Sequence, residues 1–265
     1  MTLLSDIYDV TLKLRNRGAN KEGYYRPTLS EFFMTDHDFM RIEKINPHVK
    51  SASMLEIEST FPITTGETVT RAIAFDGVNL ISGGYNTDKV YIHQGLTQNV
   101  QRSFDAPAGY TYSMCFNQFT GDLLLTDNLT DDLYIIDMNT GAVKNQFALP
   151  NDDTTAIALD NNGNLMWCGK YGNSFTVFNG VSNTVLYELD FGSSYNIIGD
   201  MAFDGTNLII ISRSTNALCV FDGISTNLLY SKILYDCTYP TVTWAGNRIV
   251  TANGTTDLIY LHNLE

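Results

Sequence analysis

The sequence predicts an all-β protein, a five-bladed β-propeller whose ring is closed by pairing its two ends. Three observations support this fold class. A motif recurs five times at propeller spacing, side chains alternate with period two inside each repeat, and the last repeat lacks a strand that an upstream segment can supply. The propeller is predicted over residues 51–265, behind an arm of residues 1–50 that shares no repeat with it.

Each repeat opens with an apolar strand that is followed by a hairpin turn. Aligned on the last large residue of that strand, the repeats are 41, 43, 44 and 41 residues apart, which is within the range of a four-stranded propeller blade. We therefore expect one blade per repeat. The aligned residues are Phe75, Phe116, Leu159, Phe203 and Trp244.

Large and small side chains alternate within the first strand of a repeat. Ile73 and Phe75 alternate with Ala72 and Ala74. Because successive side chains of a strand point to opposite faces, one face of this strand is bulky and the other is narrow. The pattern is typical of the innermost strand of a blade, where neighbouring sheets converge. Asp-Gly and Asn-Gly pairs that follow this strand supply the positive φ that a tight hairpin requires.

The fifth repeat has no fourth strand of its own. Its third strand is followed only by Leu264 and Glu265, which would leave a bare sheet edge. The segment SMLEIESTFPI, from Ser53, resembles the fourth strands of the other repeats and directly precedes the first repeat. We expect this segment to complete the C-terminal blade and to close the ring non-covalently.

Charge and hydropathy argue against nucleic-acid binding, a membrane span and a signal peptide. The net charge is −13, and residues 1–50 hold seven acidic and eight basic residues, which leaves 22 acidic and 8 basic residues for residues 51–265. An acidic body repels phosphate backbones, so we expect no nucleic-acid partner. No stretch approaches eighteen consecutive apolar residues, and the N-terminal segment lacks the apolar run of a secretory signal. We expect neither a membrane span nor a signal peptide.

The stretch FDGTNLIIISRSTNALCVFDG, from Phe203, resembles the repeats of the propeller group that includes NHL, YVTN and streptogramin-lyase-like proteins. A hairpin of the form D-x-x-G-N-L-W-V recurs in that group. The resemblance covers about 200 residues and implies propeller blades without implying one function, because the group hosts binding modules, scaffolds, lyases and lactonases. No set of loop histidines and glutamates in this sequence matches the metal or catalytic residues of those families.

One face of the propeller is the expected binding face. The loops between blades and those between second and third strands emerge on the same side of a propeller. Six tyrosines and three charged residues fall in these loops, and tyrosine offers rigid contact area with a polar tip, suited to sugars or protein. The alternative is that most of these tyrosines cover the rim of the core. The predicted binding-face residues are Tyr85, Asp88, Tyr110, Tyr112, Lys170, Tyr171, Tyr195, Arg213 and Tyr239.

Aspartates on adjacent loops of the same face are weak candidates for binding a hard cation such as calcium. The segment DNLTDD lacks the glycine and distal glutamate of an EF-hand loop, so solvated turn aspartates are the preferred interpretation. No HxH, HExxH or Ser/His/Asp spacing appears, and we expect no cofactor and no enzymatic activity. The cation candidates are Asp127, Asp131, Asp132, Asp152 and Asp153.

The arm carries more apolar surface than fifty residues can bury alone. It contains a capping-box pattern, Thr28 with Glu31, although an earlier segment alternates like a strand, so its secondary structure stays open. We expect the arm to pack on the side of the propeller or to insert into a neighbouring subunit. The predicted anchoring residues are Phe32, Phe33, Phe39 and Met40.

The leading functional hypothesis combines the arm with the absence of catalytic motifs. It describes a non-enzymatic structural or binding protein, a bacteriophage virion subunit that contacts other protein subunits through its arm and a host receptor or glycan through its propeller. The composition, low in lysine and rich in Asn, Thr and Gly, favours the same hypothesis. The alternative is a cytoplasmic propeller that binds a ligand or acts as a lyase or on glycans.

Overall fold

The computed structural model describes residues 54–63, 69–84, 87–107, 109–127, 129–150, 154–170, 172–191, 198–234 and 238–263. All of these residues belong to one compact unit, His48–Glu265. They form twenty β-strands in five antiparallel four-stranded sheets, which confirms the predicted five-bladed propeller. The described residues include no helix that could span a bilayer. The predicted arm, with its four anchoring residues, lies outside them.

Four blades are each built from consecutive strands, and the fifth combines both ends of the described chain. The strand that closes the ring is β1 (Ile57–Pro62). Blade 1 comprises β2 (Thr70–Phe75), β3 (Leu80–Gly84), β4 (Lys89–His93) and β5 (Val100–Asp105). Blade 2 comprises β6 (Thr111–Asn117), β7 (Asp122–Asp127), β8 (Asp132–Asp137) and β9 (Val143–Ala148). Blade 3 comprises β10 (Thr154–Leu159), β11 (Leu165–Lys170), β12 (Ser174–Asn179) and β13 (Val185–Asp190). Blade 4 comprises β14 (Ile198–Phe203), β15 (Leu208–Ser212), β16 (Ala217–Phe221) and β17 (Leu228–Ile233). Blade 5 comprises β18 (Thr241–Trp244), β19 (Arg248–Asn253), β20 (Leu258–Asn263) and β1.

Strand β1 pairs antiparallel with β20, which confirms the predicted ring closure. The paired register runs from Ile57 opposite His262 to Pro62 opposite Leu258. An ion pair reinforces the blade, with 3.0 Å between a guanidinium nitrogen of Arg248 and a carboxylate oxygen of Glu58. The N-terminal segment therefore supplies the outer strand of the C-terminal blade.

The alternation in the first strand determines how neighbouring blades pack. The large side chain of Ile73 belongs to the same core cluster as Val250 of blade 5. The small side chains of Ala72 and Ala74 share a second cluster with Met114 of blade 2. The bulky face of the strand thus packs on the preceding blade, and its narrow face makes room for the large residues of the following blade.

A buried carboxylate connects the innermost strands. Asp200 of β14 accepts hydrogen bonds from the hydroxyl of Ser113 on β6 (2.7 Å), the hydroxyl of Thr241 on β18 and the amide of Val242 (2.9 Å). The Ser113 hydroxyl also accepts a hydrogen bond from the Ile157 amide of β10 (3.0 Å). Burial raises the pKa of Asp200 to about 7. Four of the five innermost strands are linked in this way.

The closing strand also contacts a buried histidine. The Nδ1 atom of His262 donates a hydrogen bond to the carbonyl of Glu56 (3.1 Å), and its Nε2 atom accepts one from the hydroxyl of Thr251 (2.8 Å). His262 is only 3% exposed, and this burial lowers its pKa to about 4. The ring therefore closes around a neutral imidazole.

Removal of the closing strand should weaken the whole ring. A chain that starts at residue 63 lacks β1 and exposes the edge of β20. We expect its unfolding midpoint to be lower by about 10 °C or more, with increased aggregation, than that of a chain that starts at residue 51. Scanning calorimetry combined with light scattering measures both effects. Equal melting of the two chains would show that β1 does not close the ring.

The stability of the protein should fall in acid partly through His262. Its folded pKa lies below the unfolded value of 6.5, so the unfolded chain takes up this proton first as the pH falls. The neutral ring makes its full contribution to the unfolding free energy above pH 6.5. This contribution decreases as the pH falls from 6.5 to 4 and is smaller by about 3 kcal/mol at pH 4. Urea unfolding measures the free energy of unfolding at pH 7 and at pH 4. The decrease between these two pH values should be correspondingly smaller for His262→Gln than for the wild-type chain.

Comparison of the wild-type chain with His262→Gln removes the contribution of Asp200 to the pH dependence of the unfolding free energy. The folded pKa of Asp200 is raised, so its contribution has the opposite sign and increases as the pH falls below 7. Asp200 is present in both chains, and its effect cancels in the difference. An identical loss in the wild-type chain and in His262→Gln would contradict the assignment to His262.

Candidate functional site

Two arginines and two tyrosines meet at one end of the propeller axis. Arg71 lies in blade 1, Tyr112 in blade 2, Arg213 directly after β15 of blade 4, and Tyr239 directly before Pro240 and β18 of blade 5. We call these four residues the arginine–tyrosine cluster. They lie on the face formed by the loops between blades and by the loops between second and third strands, which is the predicted binding face.

Each cation of the cluster lies over both rings. The guanidinium carbon of Arg71 is 3.8 Å from the ring centroid of Tyr239 and 5.5 Å from that of Tyr112. The guanidinium carbon of Arg213 is 4.9 Å from the centroid of Tyr112 and 5.6 Å from that of Tyr239. These distances lie within the range of cation–π attraction. The aromatic faces therefore stabilise two positive charges close together.

A β-bulge sets the direction of two of these side chains. Arg71 and Tyr112 are each the second residue of a first strand, and the pairing register shifts at that residue in both strands. The same shift occurs at Thr155 in blade 3 and at Gly199 in blade 4. A bulge leaves one residue unpaired and re-aims its side chain. The side chains of Arg71 and Tyr112 can therefore point away from the sheet faces and take part in the cluster.

Two glycines make room for the other two side chains. A Cβ atom on Gly199 would lie 2.8 Å from Cγ of Arg213 and 3.1 Å from its Nε, and a Cβ on Gly254 would lie 3.1 Å from Cβ of Tyr239. In the space beside Gly199, Arg213 donates from Nη2 to the Gly199 carbonyl (3.3 Å) and from Nη1 to the hydroxyl of Tyr112. The missing side chain at residue 199 thus allows Arg213 to lie over the axis.

The cluster is a cationic site on an acidic protein. Within the described ranges, Arg213 forms no ion pair with a carboxylate, and its buried Nε atom donates to no acceptor. Tyr239 is 44% exposed, so a molecule in solution can reach this end of the axis. Guanidinium groups offer planar forks of N–H donors that match a carboxylate. The geometry is therefore suited to holding an oxyanion.

Three of the nine predicted binding-face residues belong to the cluster, namely Tyr112, Arg213 and Tyr239. Tyr110 is half-buried and Asp88 is exposed. The sequence interpretation missed Arg71 because it is inside a strand, and the only signal for it is a charged residue at the position of the bulge. Four predicted binding-face residues cannot be compared with the structure. Tyr85, Tyr171 and Tyr195 lie outside the described residues, as does the side chain of Lys170.

The described aspartate candidates for a cation accept hydrogen bonds from neighbouring groups of the protein. Asp131 has a left-handed φ of 54°, and its Oδ1 accepts the amide of Thr154 in the next blade (3.1 Å). Asp127 Oδ1 accepts the amide of Leu129 (2.6 Å), and Asp132 Oδ2 accepts a side-chain N–H of Gln146 (3.0 Å). In the part of the chain that the structure describes, no three ligating side chains are placed to hold a metal. Asp152 and Asp153 lie outside that part.

Comparison with known proteins finds similarity to solved structures. No protein-family model and no curated protein sequence matches this chain. The fold is similar to the crystal structure of glutaminyl cyclase from Myxococcus xanthus, with a TM-score of 0.67. The likeness covers 80% of this chain and 98% of that chain at 7% identity, and it establishes a shared propeller fold.

This likeness corrects the functional prediction. The expectation of a non-enzymatic structural protein was wrong, because a propeller of the same architecture is an enzyme in the similar structure. The alternative, a ligand-binding or enzymatic propeller, fits better. The residues behind the NHL, YVTN and streptogramin-lyase resemblance form part of blade 4, and membership of that group remains a prediction. The virion location and the protein partners of the arm also remain predictions.

A methyl group at residue 199 should expel Arg213 from the cluster. In Gly199→Ala the new Cβ would clash with Cγ of Arg213, so we expect a loss of about 1–3 kcal/mol in unfolding free energy. In an Arg213→Ala background the clashing atoms are absent, and the same change should cost less than about 1 kcal/mol. Urea unfolding of the wild-type chain, the two single variants and the double variant measures the energetic coupling between residues 199 and 213. An equal cost in both backgrounds would contradict this packing.

Proposed function

We propose that this protein is a propeller of the enzymatic, ligand-binding class that takes a small carboxylate-bearing molecule at the arginine–tyrosine cluster. One observation carries the proposal: two guanidinium groups from different blades lie over the same two tyrosine rings. Packing of the core does not require this arrangement. Among the described residues no carboxylate pairs with Arg213, so an anionic ligand can supply that partner.

The donors available favour a carboxylate as the bound group. The Tyr112 hydroxyl already accepts a hydrogen bond from Arg213, so its own proton is available to another acceptor. A planar carboxylate can accept from a guanidinium fork and from this hydroxyl together. The recognition group of the ligand is therefore placed beside Arg213 and Tyr112.

The charge of the body limits the ligand to a single negative charge. Residues 51–265 carry a balance of −14, and the aromatic faces already stabilise the two cations. A multiply charged phosphate ester would meet strong repulsion from the acidic surface. A monocarboxylate loses little to that repulsion and still gains both guanidinium contacts.

The fold likeness supports the enzymatic class. The similar structure is named a glutaminyl cyclase, which makes cyclisation of an N-terminal glutaminyl residue the first reaction to assay. In that reaction the terminal amine attacks the side-chain amide, a five-membered lactam forms, and ammonia leaves. A glutaminyl dipeptide also presents a free carboxylate, the group that the cluster is suited to hold.

Small carboxylates should stabilise the folded protein through the cluster. We expect N-acetylglycine at a concentration ten times its Kd to raise the unfolding free energy by about 1.4 kcal/mol, and N-acetylglycinamide at the same concentration to have no effect. Thermal unfolding at constant ionic strength measures this shift. Arg213→Gln should abolish the shift, whereas Arg248→Gln, which changes an arginine of the blade 5 ion pair, should keep it.

Two results would contradict the binding proposal: equal stabilisation by the acid and its amide, or an unchanged response in Arg213→Gln. The enzymatic part is tested separately by ammonia release from a glutaminyl dipeptide. Release by the wild-type chain that is lost in Arg213→Gln would support catalysis at this site. Carboxylate binding without release would retain the binding site and reject this reaction.

A further inference from the structure

The opposite end of the axis contains a cavity of about 220 Å³. The cavity lies where the first strands end and the turns to the second strands begin. Blades 1, 2, 4 and 5 each contribute one aromatic side chain to its wall: Phe75, Phe116, Phe203 and Trp244. All four are half-buried, and Leu159 of blade 3 completes the ring. Aromatic surface is therefore held in contact with the cavity.

The cavity is separate from the arginine–tyrosine cluster. Its inner end is lined by Met114, Ile157, Met201 and Val242. Three of these residues directly follow Ser113, Asp200 and Thr241, the side chains of the buried hydrogen-bond network. The Asp200 network therefore lies between the two ends of the axis, and a ligand in the cavity does not reach the cluster.

The rim of the cavity is polar. Gln118, Asp160 and Asn161 line it at the level of the turns. The Oδ1 atom of Asp160 accepts the amides of Asn164 (2.7 Å) and Leu165 (3.0 Å). No donor from the described residues reaches the other oxygen, Oδ2, so one carboxylate oxygen at the mouth can accept a hydrogen bond from a ligand.

We infer that this cavity binds a planar bicyclic aromatic molecule that carries one N–H group, of the size and chemistry of indole. Size sets the first limit, because an engineered apolar cavity of about 150 Å³ holds benzene and a larger one accommodates a second fused ring. The wall sets the chemistry, because aromatic rings and methionine sulfur contact other aromatic rings favourably. Asp160 then fixes the orientation of the N–H group.

A free molecule fits this cavity better than a flat protein surface does. The aromatic walls come from four blades and surround the axis, so the ligand is enclosed on its sides and enters only past the turns. Binding would remove the half-buried faces of the four aromatic side chains from water, which favours association. The inference does not depend on the function proposed for the cluster.

Ligand-observed NMR and calorimetry with indole on the full-length chain test this inference. We expect saturable binding with a Kd on the order of 0.1 mM. 1-Methylindole lacks the N–H donor and should bind at least fivefold more weakly to the wild-type chain, but with nearly the same affinity as indole to Asp160→Ala. Trp244→Ala should weaken indole binding at least tenfold. Arg213→Gln, at the opposite end of the axis, should bind indole like the wild-type chain.

Thermal unfolding of every variant shows whether it is folded, and Phe116→Leu replaces Trp244→Ala if that chain does not fold. Absence of saturable indole binding to the wild-type chain would overturn the inference. Unchanged affinity in a folded wall variant would also overturn it. N-acetyltryptophanamide is the comparison probe for a tryptophan side chain of a partner protein, and tighter binding of this probe than of indole would overturn the assignment to a free molecule.

Discussion

The hydrogen bonds of Asp200 hold together blades that share no strand. Each sheet contains four strands of its own, so contacts between blades depend largely on side chains. A buried carboxylate is unfavourable unless donors surround it. Here the hydroxyls of Ser113 and Thr241 and the amide of Val242 supply those donors from blades 2 and 5. The same network fills the middle of the axis and leaves two chemically different ends.

The fold could be predicted because its signals are local and repeated. Alternation in one strand, a turn residue after it and a constant spacing are properties of neighbouring residues, and five copies make chance agreement improbable. The closing strand was predictable for another reason, since a fifth sheet with a bare edge requires a partner. The structure places that partner at Ile57–Pro62, inside the segment that the sequence indicated.

The site could be predicted only in part, because it depends on contacts between blades. Loop positions indicated that Tyr112, Arg213 and Tyr239 lie on one face, but the strand pattern concealed Arg71, which a bulge brings to that face. Asp131 was a weak candidate for a cation ligand, and the sequence of a loop does not reveal which backbone amide its carboxylate will accept. The structural-subunit hypothesis failed for a related reason. It depended on composition, on the arm and on the absence of catalytic motifs, and none of these describes the geometry of a site.

Comparison of equivalent positions in the five blades separates packing from function. Two residues before the aligned large residue, every blade has an apolar side chain, because each must pack on the preceding blade: Ile73, Met114, Ile157, Met201 and Val242. At the position four residues before it, each blade has a different type of residue: Arg71, Tyr112, Thr155, Gly199 and Pro240. Packing imposes the same requirement on all five blades, whereas a ligand at the axis contacts each blade differently. A position that differs in every copy of an otherwise regular repeat is therefore where a propeller's specific chemistry should be sought.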